Sequence, residues 1–345
     1  MTQQAPFVVE IEVTEGLERL ARSEVIGRLN VRASALSEGR GWLRFPLPGL
    51  QPITQLRLAE SAFRVETFTV PRPKALLGDQ HFRRLKDAIS AVAARFSTPA
   101  SSFSLAAAGS DSSVMLRLRE SISGSTGLTD AGDEGDLQIR LLRAREVDGW
   151  DVLLRLTPRP LSARSWRVCS FPGALNATVA SAMAQLTLPR PTGTFVNLMS
   201  GSGTILLERR LLAPAAVAVG IEYEHERIAC AVKNSGAAKL IGEVRWLLAD
   251  VRAIPLPAGC VQAIAADLPF GQRVGHHEEN MRLYPQVLAE AGRIAAPGAR
   301  FVALTHEVQL TERLLRAQNN WRTVQVLPIN LRGLHPRIYV LERMR

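Results

Sequence analysis

Asp267-Leu268-Pro269-Phe270-Gly271 closes an apolar run and sets an acid, a rigid turn, an aromatic ring and a glycine side by side. An exocyclic amine on a nucleobase is a poor nucleophile, because its lone pair is delocalised into the ring. Acceptors for both of its hydrogens, here the Asp267 carboxylate and a backbone carbonyl near Leu268, favour a pyramidal nitrogen and aim the lone pair at an electrophile. Pro269 fixes the turn, Phe270 offers a stacking face worth about 1–3 kcal/mol, and Gly271 permits close approach. The same residues would also serve as an aromatic plug in a strand-to-loop turn, so the motif gains meaning only from what precedes it.

Three motifs precede it in order. Asn197-Leu198-Met199-Ser200-Gly201-Ser202-Gly203-Thr204 is a glycine turn that opens a helix and offers unpaired N–H groups to a carboxylate or phosphate. A dinucleotide fingerprint would place a third glycine at Leu206, so that reading fails. Glu222, followed by Tyr223, stands where a carboxylate receives both hydroxyls of a ribose, although Glu224 and Glu226 nearby read equally as helix-start acids favoured by the dipole. Asp250, followed by Val251, would accept a hydrogen bond from an adenine amine or simply cap a turn.

The elements that must position these residues follow from hydrophobic periodicity. Short apolar strands at 194–199, 215–222, 244–249, 261–266 and 300–305 alternate with helices at 204–212, 224–234, 280–295 and 307–317. This rhythm predicts a parallel, doubly wound sheet with helices on both faces, closed by strand candidates at 322–327 and 338–342. Ligands of such sheets sit beyond the carboxyl ends of the strands, where all four motifs fall. Before residue 157 the pattern differs. Val9, Ile11 and Val13 alternate with acids as a strand, Leu17 to Leu29 has helical spacing, and Asp79 is positioned to cap a helix carrying Phe82, Leu85, Ile89 and Val92. With further short strands and no steady βαβ spacing, this half reads as small α+β units.

At 345 residues, 46% hydrophobic and 21% charged, the chain is globular and large enough for two to three domains of about 150 residues. Its net charge of +10 favours an anionic partner such as nucleic acid, although an arginine excess with only four lysines also arises from genome base composition. The stretch TPRPLSARSWRVCSFPG, with Arg159, Arg164 and Arg167, reads as an extended cationic linker, and a domain boundary is placed there. Cys169, Cys230 and Cys260 are far apart and without a C-x-x-C pair, which predicts reduced thiols, no disulfide and no structural zinc. No Ser-His-Asp or Cys-His set and no metal cluster is evident. His276 and His277 read as solvated loop histidines, and Arg273 as a phosphate contact or a solubilising charge. The start MTQQAPFVVEIEV lacks a basic n-region, and the longest apolar run, 211–221, contains Pro214 and is too short to span a bilayer, so a cytoplasmic, non-membrane chain is expected.

Residues 190–345 resemble class I S-adenosylmethionine-dependent methyltransferases: the family's D-x-x-C-G-S-G-T loop corresponds to NLMSGSGT, and its [N/D]-P-P-[F/Y] motif to DLPF. The preceding half is similar to the THUMP-containing tRNA (guanine-N2) methyltransferases in Thr14-Glu15-Gly16-Leu17-Glu18, Asp136-Leu137-Gln138-Ile139-Arg140 and PLSARSWRVCSFPGALNATVA. The resemblance implies a Rossmann-like α/β methyltransferase sheet at 190–345, preceded by an α+β ferredoxin-like domain at 1–65, a THUMP RNA-binding domain at 66–157 and a linker at 158–189.

It also implies roles for single residues. Asn197, Ser200, Gly201, Ser202, Gly203 and Thr204 would cradle the methionine end of S-adenosyl-L-methionine, with Thr178, near Asn176, closing that side. Glu222 and Tyr223 would meet its ribose, and Asp250 and Val251 its adenine. Asp267, Pro269 and Phe270 would hold the target guanine, and Arg159, Arg164, Arg167 and Arg273 would contact RNA. Asn197 stands where the family usually has aspartate, and Ser200 where cysteine is common. The implied activity is N2-methylation of guanine in the tRNA acceptor stem by a monomer without metal. Two alternatives remain at this point: an RNA-binding protein with an inactive methyltransferase domain, and a ribosomal RNA guanine-N2 methyltransferase.

Overall fold

The computed structural model describes residues 7–47, 53–270 and 277–344. The chain separates into two units, one comprising Ala21–Leu161 with the strand before Thr14, the other Thr14–Leu20 with Ser162–Arg345.

In the first unit the alternation around Val9 forms β1 (Phe7–Val13), followed by α1 (Glu18–Leu29), β2 (Ser37–Gly39), β3 (Trp42–Leu47), β4 (Ala59–Phe68), α2 (Asp79–Ala93), β5 (Ser102–Ala107), α3 (Ser113–Thr126), β6 (Thr129–Asp130), β7 (Leu137–Arg143) and β8 (Trp150–Arg155). They build one eight-stranded sheet in the order β2-β3-β1-β4-β8-β7-β5-β6. Because β4 pairs with both β1 and β8, the boundary expected at residue 65 falls inside a strand common to the whole sheet. Asp79 is the first residue of α2 and makes no side-chain cap; Gly78 occupies that position, and the acid favours the helix through its dipole. The helices α2 and α3 cover a face built on Leu105, Ile139 and Leu154. The alternate residues turn the other way, and there Arg44 lies buried between Glu10 and Asp151, 2.6 Å from each.

The second unit begins within the stretch expected to be an extended linker. After Pro172 an apolar helix interrupts it, α4 (Ala177–Leu186), capped by Asn176 and buried from Ala177 through Ala184. Then come β9 (Thr194–Leu198), α5 (Thr204–Leu212), β10 (Val217–Glu222), α6 (His225–Ala237), β11 (Arg245–Leu248), β12 (Val261–Asp267), α7 (His277–Ile294), β13 (Ala295–Thr305), α8 (Val308–Arg316), β14 (Trp321–Pro328) and β15 (Arg337–Arg343). The seven strands order as β11-β10-β9-β12-β13-β15-β14. The five strands from β11 to β13 are parallel, as their unbroken apolar runs predict. One of the two closing strands departs from the all-parallel expectation: β15 inserts antiparallel between β13 and β14, and β14 keeps the direction of the other five. Only a short turn joins β14 to β15, and a parallel crossover needs a longer connection.

Candidate active site

The chain lays down β9, β10 and β11 outward in one direction, then returns to place β12 on the other side of β9. At such a reversal the connections leave the sheet on opposite sides and open a crevice past the strand ends. The glycine turn follows β9, and the Asp-Leu-Pro-Phe segment closes β12, so topology alone brings the two motifs to one crevice.

The turn is shaped by its backbone. Met199 takes a left-handed φ of 51°, unusual for a side chain with Cβ, and Gly203 takes 85° where it opens α5. A Cβ on Gly203 would lie 2.5 Å from the Trp246 ring, which packs over the turn. The Ser200 amide donates to the Ile221 carbonyl at 2.9 Å, fixing the turn to β10. The Gly201 amide donates to Glu222 Oε2 at 2.8 Å, while the other carboxylate oxygen accepts from the amides of Tyr223 and Glu224 at 2.9 and 3.2 Å. Glu222 is therefore buried and braced on both oxygens. Asp250 is partly exposed and accepts from the Arg252 guanidinium at 2.9 Å, which holds its carboxyl below the usual range.

Asp267 is the last residue of β12. Its Oδ1 is buried without a hydrogen-bond partner, and burial pushes its carboxyl up to about 7. The next turn is clamped from below: the Pro269 carbonyl accepts from Tyr284 Oη at 2.6 Å and from Asn280 Nδ2 at 3.0 Å. Tyr284 also shares a hydrogen bond with Thr305, and Asn280 donates to Glu307, which pairs with His277 at 2.9 Å. The Phe270 ring lies 6.0 Å from the His306 ring, tilted by 35°.

Two adjoining hollows run along the strand ends and share Met199, Arg227 and Pro269. One brings together Ser200, Gly201, Ser202 and Thr204 with Asp267, Pro269 and Phe270, walled by segment 171–175. The other brings together Glu222, Tyr223, Asp250 and Val251. The anticipated acids, turn and aromatic thus line adjoining hollows, with Asp267 in one and Glu222 and Asp250 in the other.

Residues 164–337 match the family UPF0020, described as RMKL-like, methyltransferase domain. The chain belongs to this family. Among its relatives are the tRNA (guanine(6)-N2)-methyltransferase of Thermus thermophilus, 32% identical over 61% of this chain and 62% of the relative, and the bovine tRNA (guanine(6)-N(2))-methyltransferase THUMP3, 31% identical over 50% of this chain and 37% of the relative. A bovine U6 snRNA (guanine-N(2))-methyltransferase is 30% identical over 43% of the chain and 28% of the relative. The chain thus spans less than two thirds of the length of these relatives. The fold is that of TrmN from Thermus thermophilus, with a TM-score of 0.74 at 24% identity over 98% of this chain and 99% of that one. SMU.472, solved complexed with SAH, shares it with a TM-score of 0.72 at 15% identity over 99% of both chains.

Several expected site residues lie elsewhere. Thr178 is wholly buried and bonds to Asn176 and Thr14, outside the cleft lining, because it belongs to the capped first turn of α4. Asn197 is buried within β9; its Nδ2 donates to the Leu198 and Ala265 carbonyls at 3.1 Å, two bonds that an aspartate could not give. Of the nominated arginines, Arg159 is exposed. Arg164 instead pairs with buried Glu208 of α5 at 2.8 Å, and Arg167 donates to the Leu175 carbonyl at 2.9 Å while burial lowers the pKa of its guanidinium. Arg273, with Gly271, Gln272 and His276, lies outside the described residues. His277 is exposed, as expected, but it opens α7 rather than lying in a loop and pairs with Glu307. The cysteine expectation is also corrected: Cys169 and Cys230 form a disulfide with Cα atoms 5.4 Å apart, their separation of 61 residues closed by the fold. Cys260 is free. Among the described residues no helix is long and apolar enough to cross a membrane, and no cluster of metal-ligating side chains occurs.

Other cleft residues escaped the sequence reading. Asn280 and Tyr284 sit one turn apart on the buried stripe of α7 with Val287 and Ala291, and polar residues on an otherwise apolar stripe were the available signal. Arg227, anchored by Glu224 at 2.8 Å, and segment 171–175 gave no periodic signal.

Proposed function

We propose that this protein transfers a methyl group from S-adenosylmethionine to the N2 amine of a guanine in the tRNA acceptor stem. The observation that carries this reading is the half-buried Asp267 carboxylate, whose Oδ1 is sealed from solvent and lacks a partner, set beside Phe270 in the lining of the crevice. An acceptor left unsatisfied at a cleft awaits a donor from a ligand, since a buried polar atom without a partner is costly.

The residues present suit the methyl donor. Ser200 Oγ is another buried atom without a partner beside the glycine turn, and the Asp250 carboxylate lies at the far hollow where an adenine amine would donate. Glu222, braced by three amides, has lone pairs left for ribose hydroxyls. Asn197, buried in β9, would act on the methionine end through the strand end it braces, which leads into the turn. When bound, S-adenosylmethionine supplies an electrophilic methyl carbon on a sulfonium.

The chain's own contribution is positioning and charge. Asp267 and the Leu268 carbonyl would hold the two amine hydrogens, the Pro269 carbonyl being engaged by Tyr284 and Asn280. With the donor bound, the guanine nitrogen would take the methyl group as the donor's C–S bond breaks, and Asp267 would receive the displaced proton. A paired guanine hides this amine, so the base must leave the stack to reach Phe270.

In this reading the first unit supplies RNA recognition, with ferredoxin-like and THUMP portions that share one sheet through β4, and Arg159 contributes a phosphate contact. The protein would act as a cytoplasmic monomer without a metal ion. The test is mass spectrometry of nucleosides from tRNA, ribosomal RNA and small nuclear RNA, with and without this gene. Loss of N2-methylguanosine from tRNA is expected. Unchanged tRNA with loss from small nuclear RNA would favour the activity named for the U6 relative instead.

A further inference from the structure

Asn234 lies on α6, wholly buried, and the mechanism above gives it no task. Its amide is nevertheless almost fully used. Oδ1 accepts from the Cys169 amide at 2.9 Å, and Nδ2 donates both to the Cys169 carbonyl and to the Ser202 carbonyl, each at 2.9 Å. One side chain therefore grips both main-chain groups of Cys169 and the middle of the glycine turn.

These two partners lead to one hollow. Segment 171–175 begins two residues after Cys169, and Ser202 lines the same hollow directly. Other contacts immobilise the same segment: Arg167 bonds to Leu175 across its loop, Arg164 ties its approach to Glu208, and the disulfide joins Cys169 to Cys230, one helical turn before Asn234. Without Asn234, the Ser202 carbonyl and both main-chain groups of Cys169 would lose these partners in a buried setting.

We propose that Asn234 is a positioning residue that clasps segment 169–175 to the glycine turn, so that the two walls of the methyl-donor hollow open and close as one body. The consequence for ligand binding rests on the reading of this hollow as the methyl-donor site; the clasp itself does not. A carboxamide is required, because only it combines an acceptor for an amide N–H with two donors for carbonyls. Aspartate keeps the shape and the acceptor but faces two carbonyls with an oxygen.

The experiment is hydrogen–deuterium exchange by mass spectrometry on the whole chain, comparing wild type, Asn234→Asp and Asn234→Ser, each without ligand and with S-adenosylhomocysteine. Without ligand, exchange in the variants should rise by about tenfold or more in both 169–175 and 200–204, while β12 and β13 keep their wild-type protection. With S-adenosylhomocysteine, both stretches of the wild type should gain protection together, whereas Asn234→Asp should gain it at the turn alone and bind about tenfold more weakly. Cys230→Ser tests the second tether: combined with Asn234→Asp, it should raise exchange beyond the product of the single effects. A rise in only one stretch, or in neither, would overturn the clasp. The paired rise in the variants, with no protection of wild type by S-adenosylhomocysteine, would remove the methyl-donor reading and leave the clasp standing.

Discussion

The backbone amide of Gly201 donates to the Glu222 carboxylate across 2.8 Å, so the end of β10 shapes the turn after β9. Glu222→Gln would set an amide NH2 against backbone N–H groups that now meet a carboxylate. It should lower affinity for S-adenosylmethionine by about tenfold or more and stability by about 1–3 kcal/mol, read by calorimetry and urea unfolding. Unchanged affinity would show that the turn does not depend on this brace.

Asp267 is the acceptor the chemistry leans on. Asp267→Ala should bind the methyl donor normally yet slow methyl transfer by at least about a hundredfold, the scale of losing one transition-state acceptor. Near-normal turnover would refute its role.

The same residue gives a pH dependence. Burial favours its protonated form and raises its carboxyl from 3.8 to about 7, so its contribution to stability is greatest in acid and is lost as pH climbs through about 7. Methyl transfer needs the ionised form and should rise over the same range. Asp267→Asn should abolish the limb near pH 7 in both the unfolding and the pH–rate curves.

Asp250 and Arg252 form an exposed pair, whose loss changes stability little. Asp250→Ala should therefore stay within about 0.5 kcal/mol of wild type in unfolding, weaken binding of the methyl donor and leave tRNA binding intact. Equal loss of both binding activities would argue against assigning adenine to this hollow.

Gly203→Ala adds a Cβ at a left-handed φ and drives it into Trp246. The expected loss is at least about 2 kcal/mol, from strain and overpacking together, measured by urea unfolding of the second unit. A neutral effect would mean that Trp246 can yield.

In the first unit, Arg44→Met would leave Glu10 and Asp151 buried with much of their compensation gone. A loss of about 3–5 kcal/mol is expected near neutral pH, and it should shrink as acid protonates the two carboxylates. A pH-independent loss would point to packing rather than charge.

Local patterning by itself determined the strand and helix alternation from residue 194 onward, and with it the rule that places Ser200, Glu222, Asp250 and Asp267 past successive strand ends. That was possible because side-chain periodicity and glycine turns act over a few residues. The partners of those residues were decided by the tertiary structure alone. That Arg164 would serve Glu208, that Thr178 would be buried against Thr14, and that Cys169 would reach Cys230 all depend on pairings tens to hundreds of residues apart. Composition cannot distinguish an arginine that faces solvent from one that staples a loop, and only packing determines which carboxylate keeps a free oxygen. The raised pKa of Asp267 is of the same kind: its acid is visible in the sequence, while the removal of water around it exists only once β9, β12 and β13 have closed together.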